Sequence, residues 1–452
     1  MLMSRATWFD KWIAGSFAIL GAVCYPARAS AETPPASTLV TPGFETTAIP
    51  ATPESFTRAT AIGWALQNNP DLAALRQQHG FAAAAVVIAE TYPFNPSWTN
   101  KLFAVNGPEG AGITNRVAME QAVSLALEIR GQGKYRRQTA TAGLARTDWE
   151  IANQELLLAI RVTRAFDTLV YDQAKLQLAQ EALRLQEETA GLVRKLFKGA
   201  VLKSPDLILA RSEVDTFRIA LNTALAAQTK AENDLRAALG LTSEPLRVEG
   251  KLTAAPASGD RETLLAAALE QRPDLHARQA AVREAEGRVR LARADRFGNP
   301  DIRPDYEYNE TRVNFIGAQV VLPLPVLNTH RGDILQREAE RSRAALDLRA
   351  LEVAIQQQLH AALSRLSTAR DTVETYQSRV LPDLDASLKE METLFRQGGA
   401  DLLRVLDIRR KLLTARSGYL DALYELRQAR TDLAAAVGDP ALTLDAETGQ
   451  RP

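Results

Sequence analysis

The sequence predicts a mainly helical protein with a small β part, in which one unit of long antiparallel helices and a β-hairpin is used twice. Three observations carry this reading: a very long uninterrupted helical stretch, an internal repeat about 200 residues apart, and two short segments with strand alternation. No proline occurs between Pro108 and Pro205, and from Gly133 to Phe197 only Gly143 and Gly191 interrupt good helix formers. At about 1.5 Å per residue, a helix of roughly 65 residues is a rod of about 100 Å, far longer than an ordinary globular core requires.

The apolar pattern of that rod says what it touches. Leu169, Leu176, Leu183, Ala190 and Phe197 recur every seventh residue, and Tyr171, Leu178, Leu185 and Leu192 do so two positions on. Two positions are about 200° around a helix. A two-stranded coiled coil keeps a single seam, whereas two seams on opposite flanks suit a helix with a neighbour on each side. On this pattern alone, the wall of a tube and a thick bundle both fit.

The repeat is read from four matches in the same order. Ala65–Leu72 (ALQNNPDL) matches Ala268–Leu275 (ALEQRPDL), and Asn95-Pro96 matches Asn299-Pro300. Leu196–Gly199 matches Leu394–Gly398, and Ala231–Gly240 matches Ala429–Gly438. The expected organisation is a signal peptide over 1–31, an extended leader over 32–56, repeat 1 over 57–240, a connector over 241–260, repeat 2 over 261–438 and a tail over 439–452. Repeat 1 holds a shorter helix at about Ser55–Glu90, a hairpin over 97–125, the long helix 132–197 and a helix 206–239. Repeat 2 holds a shorter helix at about Arg261–Asp295, a hairpin over 301–325, a long helix 331–397 and a helix 401–437. In each repeat the shorter helices, laid end to end, nearly equal the long one, which favours a tube. Heptad stripes in the second long helix (Leu359, Leu366, Val373, Val380; Ile355, Ala362, Ala369, Tyr376) lie closer together, and Pro382 is expected to kink it.

The N-terminus carries the marks of export: Arg5 and Lys11, the apolar run Trp12–Val23, and a small-x-small site at Ala29-Ser30-Ala31. The single cysteine, Cys24, lies inside this segment; Gly21 and Val23 depart from the aliphatic and small residues a lipoprotein signal wants there, so cleavage after Ala31 is the expectation and lipidation at Cys24 the alternative. Cleavage after Ala31 removes Arg5, Lys11, Arg28 and Asp10, leaving 51 basic and 53 acidic residues and a net charge of −2. That balance gives no footprint for nucleic acid. No later run is apolar enough for a transmembrane helix.

The hairpins are the membrane candidates. Asn115, Val117, Met119, Gln121, Val123 and Leu125 alternate with Arg116, Ala118, Glu120, Ala122 and Ser124. Each strand is about ten residues, enough to cross a bilayer when tilted. Tyr92, Phe94, Trp98 and Phe103 flank the first hairpin and Phe297, Tyr306, Tyr308 and Phe315 the second, as an interfacial girdle would. A small soluble sheet with an aromatic core is the other reading. Four strands cannot close a transmembrane barrel, since known ones begin at about eight; hairpins in lipid therefore imply several chains pooling strands.

Together these residues resemble the TolC-like outer-membrane efflux proteins, from about residue 57 to 438. The chain is most similar to the CzcC branch associated with heavy-metal resistance, through ALQNNPDLAAL, the Asn95-Pro96 pair, LALEIRGQGKYRR and VVLPLPVLNTHRGDI. The resemblance implies a homotrimer whose four strands per chain make a twelve-stranded transmembrane β-barrel, continued by an α-helical barrel across the periplasm of a Gram-negative bacterium. It implies a periplasmic adaptor (membrane fusion protein) and an inner-membrane pump of the resistance–nodulation–division type as partners, with this chain as the exit duct for heavy-metal cations. Drug or solvent efflux by the same duct is an alternative, and a periplasmic coiled-coil adaptor or structural protein is the non-channel alternative.

By position, the resemblance places Asp407 at the periplasmic aperture, and Arg404 where some relatives carry another aspartate. Asp206 and Asp401 fall at the tip turns, where helix capping is the plainer role, and Gly199, Gly398 and Gly399 serve those turns. His79, His276, His330 and His360 are isolated in sequence, so no metal site is expected, and neither a phosphate loop nor a nucleophile elbow is present. No cofactor and no enzymatic activity are expected.

Overall fold

A computed structural model describes residues 53–108, 110, 112, 115–199, 204–242, 244–253, 260–397 and 402–443. The export segment with Cys24 and most of the leader lie outside the described residues, as do Gly398, Gly399 and Asp401. Among the described residues, repeat 1 contains α1 (Arg58–Asn68), α2 (Pro70–Glu90), β1 (Ser97–Val105), β2 (Arg116–Ala126), α3 (Gln132–Lys198) and α4 (Ser204–Leu239). Repeat 2 contains α5 (Arg261–Gln271), α6 (Pro273–Asp295), β3 (Asp301–Tyr308), β4 (Asn314–Val321), α7 (Arg331–Thr375), a π-helical turn (Tyr376–Val380), α8 (Leu381–Arg396) and α9 (Leu402–Val437).

The single helices expected over 55–90 and 261–295 are each two. Proline pushes the residue before it out of the helical region, and Asn69 and Arg272 accordingly sit extended, at ψ 121° and 119°. Asn69 is buried and caps α2: its Oδ1 accepts from the amides of Asp71 and Leu72 at 3.0 and 3.1 Å. Its amide donates to the carbonyl of Ala238, at the end of α4, at 3.2 Å. Arg272 does the same in repeat 2, donating to the Ala436 carbonyl at 3.0 Å. Gly240 and Gly438, at φ 74° and 87°, let these corners close, because a side chain there would strike Pro70 and Arg272.

Through these joints α2 stacks on the end of α4, and α6 on the end of α9. The long helix α3 lies between the two stacks, with α2 and α4 on one flank and α6 and α9 on the other; α7 packs outside α6 and α9. Stripe residues of α3 divide accordingly. Leu169 is buried in a core with Leu235 of α4 and Phe56, whereas Tyr171 stacks on Tyr424 of α9 at 4.5 Å. Phe56 also pairs with Val248, so the connector crosses the layer there, and Gly250 rests on the ring of Phe166.

Where the sequence led to the expectation of a kink at Pro382, the helix carries a π turn just before it, closed by the Leu381 amide on the Tyr376 carbonyl. The four strands form one antiparallel sheet in the order β1-β2-β3-β4. They are slightly shorter than expected in repeat 2, ending at Tyr308 and Val321.

Candidate functional site

The sheet has two unlike sides. Register places Trp98, Leu102 and Ala104 beside Val123, Met119 and Val117, then Ile302, Tyr306 and Tyr308, then Val320 and Ile316. All of these project to one side, which is mostly apolar and also carries Asn100, Gln121 and Asn314. Trp98 is 67% exposed and Ile316 71%, so nothing among the described residues covers it. In water such a surface is costly at about 25 cal/mol per Å²; in lipid it is the required one. By this register Tyr306 and Tyr308 lie two and four residues along the strands from Trp98, about 7 and 13 Å, so these aromatics share one part of the apolar side and do not mark its two ends.

The other side carries the charges, and with them Phe103 and Phe315, which the sequence had grouped with the interfacial aromatics. Glu120 on β2 accepts from Lys101 of β1 at 3.0 Å and from Arg303 of β3 at 2.7 Å, tying three strands. Asp305 folds over Gly317, whose missing side chain leaves room for the carboxylate. The alternation of β2 was legible in sequence. This triad was not, because it depends on a register that the turn residues do not fix.

The helical layer also has two sides. Arg164 of α3 and Arg365 of α7 both grip Asp432 of α9, the first at 2.6 Å, and Arg365 also holds Glu425 at 2.6 Å. One heptad on from Arg164, the Tyr171 hydroxyl donates to Asp421 at 2.5 Å, and Lys175 meets the same carboxylate at 2.7 Å. Burial, and then the Asp421 carboxylate, push the Tyr171 phenol well above its ordinary range. Lower down, Arg410 of α9 reaches Glu213 of α4, which also accepts from Gln186 of α3 at 2.6 Å. Phe166, two residues on from Arg164 and so about 200° round the helix, faces the connector instead. One side of the wall is thus laced by ion pairs across adjacent helices, and the opposite side is crossed by the connector.

At the far end of the helices, Asp407 pairs with Lys411 at 2.9 Å on exposed ground. Arg404, one turn before it, is exposed and has no carboxylate partner among the described residues. Gly199 ends α3 with its amide on the Lys195 carbonyl at 3.1 Å; its φ of −82° is one that any residue adopts. Asp206 falls in the first turn of α4, but its side chain lies outside the described residues, as do Gly398, Gly399 and Asp401 altogether.

The histidines stay apart: His79 pairs with Asp148, His276 stacks on Trp149, His330 meets Asp333, and His360 is exposed. Among the described residues no group of three or more His, Cys, Asp or Glu is placed to hold a metal ion, and no helix is long and apolar enough to cross a membrane.

A helical wall with open lateral edges, continued by a sheet with one lipid-type and one charged side, defines the protomer of a membrane duct. Residues 264–439 match the family described as outer membrane efflux protein, a span that covers the second copy of the repeat. The chain is 25% identical over 309 residues to the cobalt-zinc-cadmium resistance protein CzcC of Cupriavidus metallidurans, covering 67% of this chain and 71% of that one. It is 24% identical over 414 residues to the cation efflux system protein CusC of Escherichia coli, covering 84% and 85%. A solved structure of CusC superposes with a TM-score of 0.69 at 19% identity, over 84% of this chain and 92% of that one. By fold the chain is TolC-like, and the family match over its second repeat, with the likeness to CzcC and CusC, supports an outer-membrane efflux duct that extends into the periplasm.

Proposed function

We propose that three copies of this chain form the outer-membrane exit duct of a tripartite efflux system, delivering heavy-metal cations received from an inner-membrane pump through a periplasmic adaptor. The observation that carries this reading is the open sheet: β1 and β4 each keep a free edge, and backbone groups left unpaired in lipid cost several kcal/mol each. Three copies supply twelve strands, enough to close a barrel whose apolar side faces lipid and whose charged side lines the duct. Neither a catalytic step nor a resident cofactor enters this reading. The metal cargo rests on the likeness to CzcC and CusC, whose names record cobalt, zinc and cadmium resistance and cation efflux. The ion-paired side of the helical wall offers passing cations a polar surface without a chelating cluster, as a conduit requires.

A growth panel tests the cargo. A deletion strain is compared with its restored parent on cobalt, zinc, cadmium, nickel, copper and silver salts, and on drugs and detergents. Sensitivity to one metal group, rescued by the gene, is the expected result; sensitivity to organic compounds alone overturns the metal reading and keeps the duct.

The tip is assigned by position. Asp407 and Arg404 narrow the closed aperture, while Asp206, Asp401, Gly199, Gly398 and Gly399 shape the turns around it. Because Asp407 is paired with Lys411, its replacement frees a cation at the aperture. Arg404→Ala and Asp407→Ala are both expected to change closed-state conductance in planar bilayers, in opposite directions of cation preference. Unchanged conductance in both overturns the assignment.

A further inference from the structure

On the laced side of the helical wall, a cleft of about 490 Å³ lies across α3 between α4 and α9. Its floor is α3 from Tyr171 to Ala182, and its walls are α4 from Phe217 to Ala227 and α9 from Arg410 to Ser417. Some ten residues of helix make it about 15 Å long. Pockets for small molecules run from about 300 to 1,000 Å³, so the cleft is of ligand size. Its lining is mostly small and apolar. Phe217, Ala220, Ala224 and Ala227 form one stripe of α4, and Leu178, Ala179 and Ala182 of α3 lie across from it. Three alanines on the stripe leave the space that larger side chains would fill.

Charge is confined to the two ends of the cleft. At the lower end Arg410 is matched by Glu213. At the upper end the Lys175 amine is matched by Asp421 at 2.7 Å and donates to the Ser417 hydroxyl at 2.5 Å. Asp172 is left over. It is half-buried, and its carboxylate makes no hydrogen bond or ion pair among the described residues; Lys175 acts on it only through the longer-range field. Burial pushes this carboxyl above its ordinary value, against the pull of Lys175. Two carboxylates and one amine leave a surplus negative charge at the end of an apolar cleft.

We propose that this cleft binds a monovalent organic cation with a flat apolar body, its charge at Asp172 and its body along the alanine stripe toward Phe217. A bare metal ion is the competing ligand, and the lining argues against it. Such an ion would exchange water for alanine, leucine and phenylalanine side chains, and one carboxylate does not replace a hydration shell. Among the described residues no group of three or more His, Cys, Asp or Glu is placed to hold one. A second copy of the chain has no part in the site, because the cleft is centred on α3, which has helices of its own chain on both flanks. The duct thus carries a site for a second class of cargo, distinct from metal ions. That cargo role rests on the exit-duct reading; the site, built by one chain, does not.

Ethidium, a flat monovalent aromatic cation whose fluorescence rises in an apolar site, is the probe, and neutral phenanthridine is its comparator. Both are titrated into the nuclease-treated full chain in uncharged detergent, with empty micelles subtracted. Saturable ethidium binding is expected at one site per chain, about tenfold tighter than phenanthridine. Asp172→Asn is expected to remove that preference. Ala220→Phe, which brings a ring into the cleft from an exposed position, is expected to abolish binding of both compounds. Asp215→Asn, on exposed ground of α4, is expected to change neither. Asp172→Asn is nearly isosteric, so its result holds whatever the bulkier variant does to folding. No saturable binding by the parent, equal preference in Asp172→Asn, or binding that survives Ala220→Phe overturns the site and leaves the duct standing. A chain that binds ethidium through Asp172 but does not assemble keeps the site and removes its cargo role.

Discussion

The long helices α3 and α7 occupy the same place in the two repeats and meet different surroundings. α3 has a stack on each flank, α2 with α4 and α6 with α9; α7 has α6 and α9 on one flank and, among the described residues, no helix of its own chain on the other. Their sequences carry that difference. In α3 the heptad stripes starting at Leu169 and Tyr171 are two residues apart and so lie on opposite flanks. In α7 the stripes through Ile355 and Leu359 are four apart and bury the same flank. Leu335, Leu346 and Val353 remain exposed on α7, and Phe81, Ile88 and Ile219 on the α2–α4 stack. One chain is thus a wall with two unfinished edges. The proposed duct joins one copy's α7 to the next copy's α2 and α4.

Three changes break or sharpen that comparison. The largest effect is expected at the two-sided helix. Leu169 is almost fully buried, so Leu169→Ala should lower stability by about 3 kcal/mol, read as a shift in denaturation midpoint; a loss well below 1 kcal/mol would mean that this flank of α3 is loosely packed. Leu346→Asp should act differently, because Leu346 is exposed in the single chain. Helical content by circular dichroism should be retained while the oligomer dissociates, and an intact oligomer would place the interface elsewhere.

The smallest effect is expected where α7 meets α9. Hydrogen bonds from Arg365 hold the Glu425 carboxyl below its ordinary value of 4.5. A carboxylate with a depressed folded pKa adds stability that is complete above the unfolded pKa and is lost as pH falls through the folded one. Acidification below about pH 4.5 should therefore loosen the α7–α9 contact, and Arg365→Gln should flatten that part of the pH dependence. The same slope in both proteins would remove this pair from the account. Being nearly half exposed, it contributes modestly.

Much of this fold was legible because its spacing is periodic and repeated. The two-residue offset of the α3 stripes gave its flanks, and the alternation from Asn115 to Leu125 gave the sides of β2. The breaks at Asn69 and Arg272 were not legible as corners. Each residue precedes a proline, but its partner, the Ala238 or Ala436 carbonyl, is more than 160 residues away in sequence. Proline at 382 was readable as a disturbance, and the π turn that absorbs it was a matter of local hydrogen bonding. The ion-pair lacing through Arg164, Arg365 and Asp432 joins three helices and depends on their lateral order, which no local pattern encodes. The tip residues remain positional assignments, because Gly398, Gly399 and Asp401 lie outside the described residues.

Counting the chains in the detergent-solubilised particle tests the central claim most directly, by native mass spectrometry or light scattering corrected for detergent. Three copies are predicted, because four strands per chain then make a closed barrel of twelve. A stable monomer carrying the full β content would contradict the account, since its sheet edges would stand open in lipid.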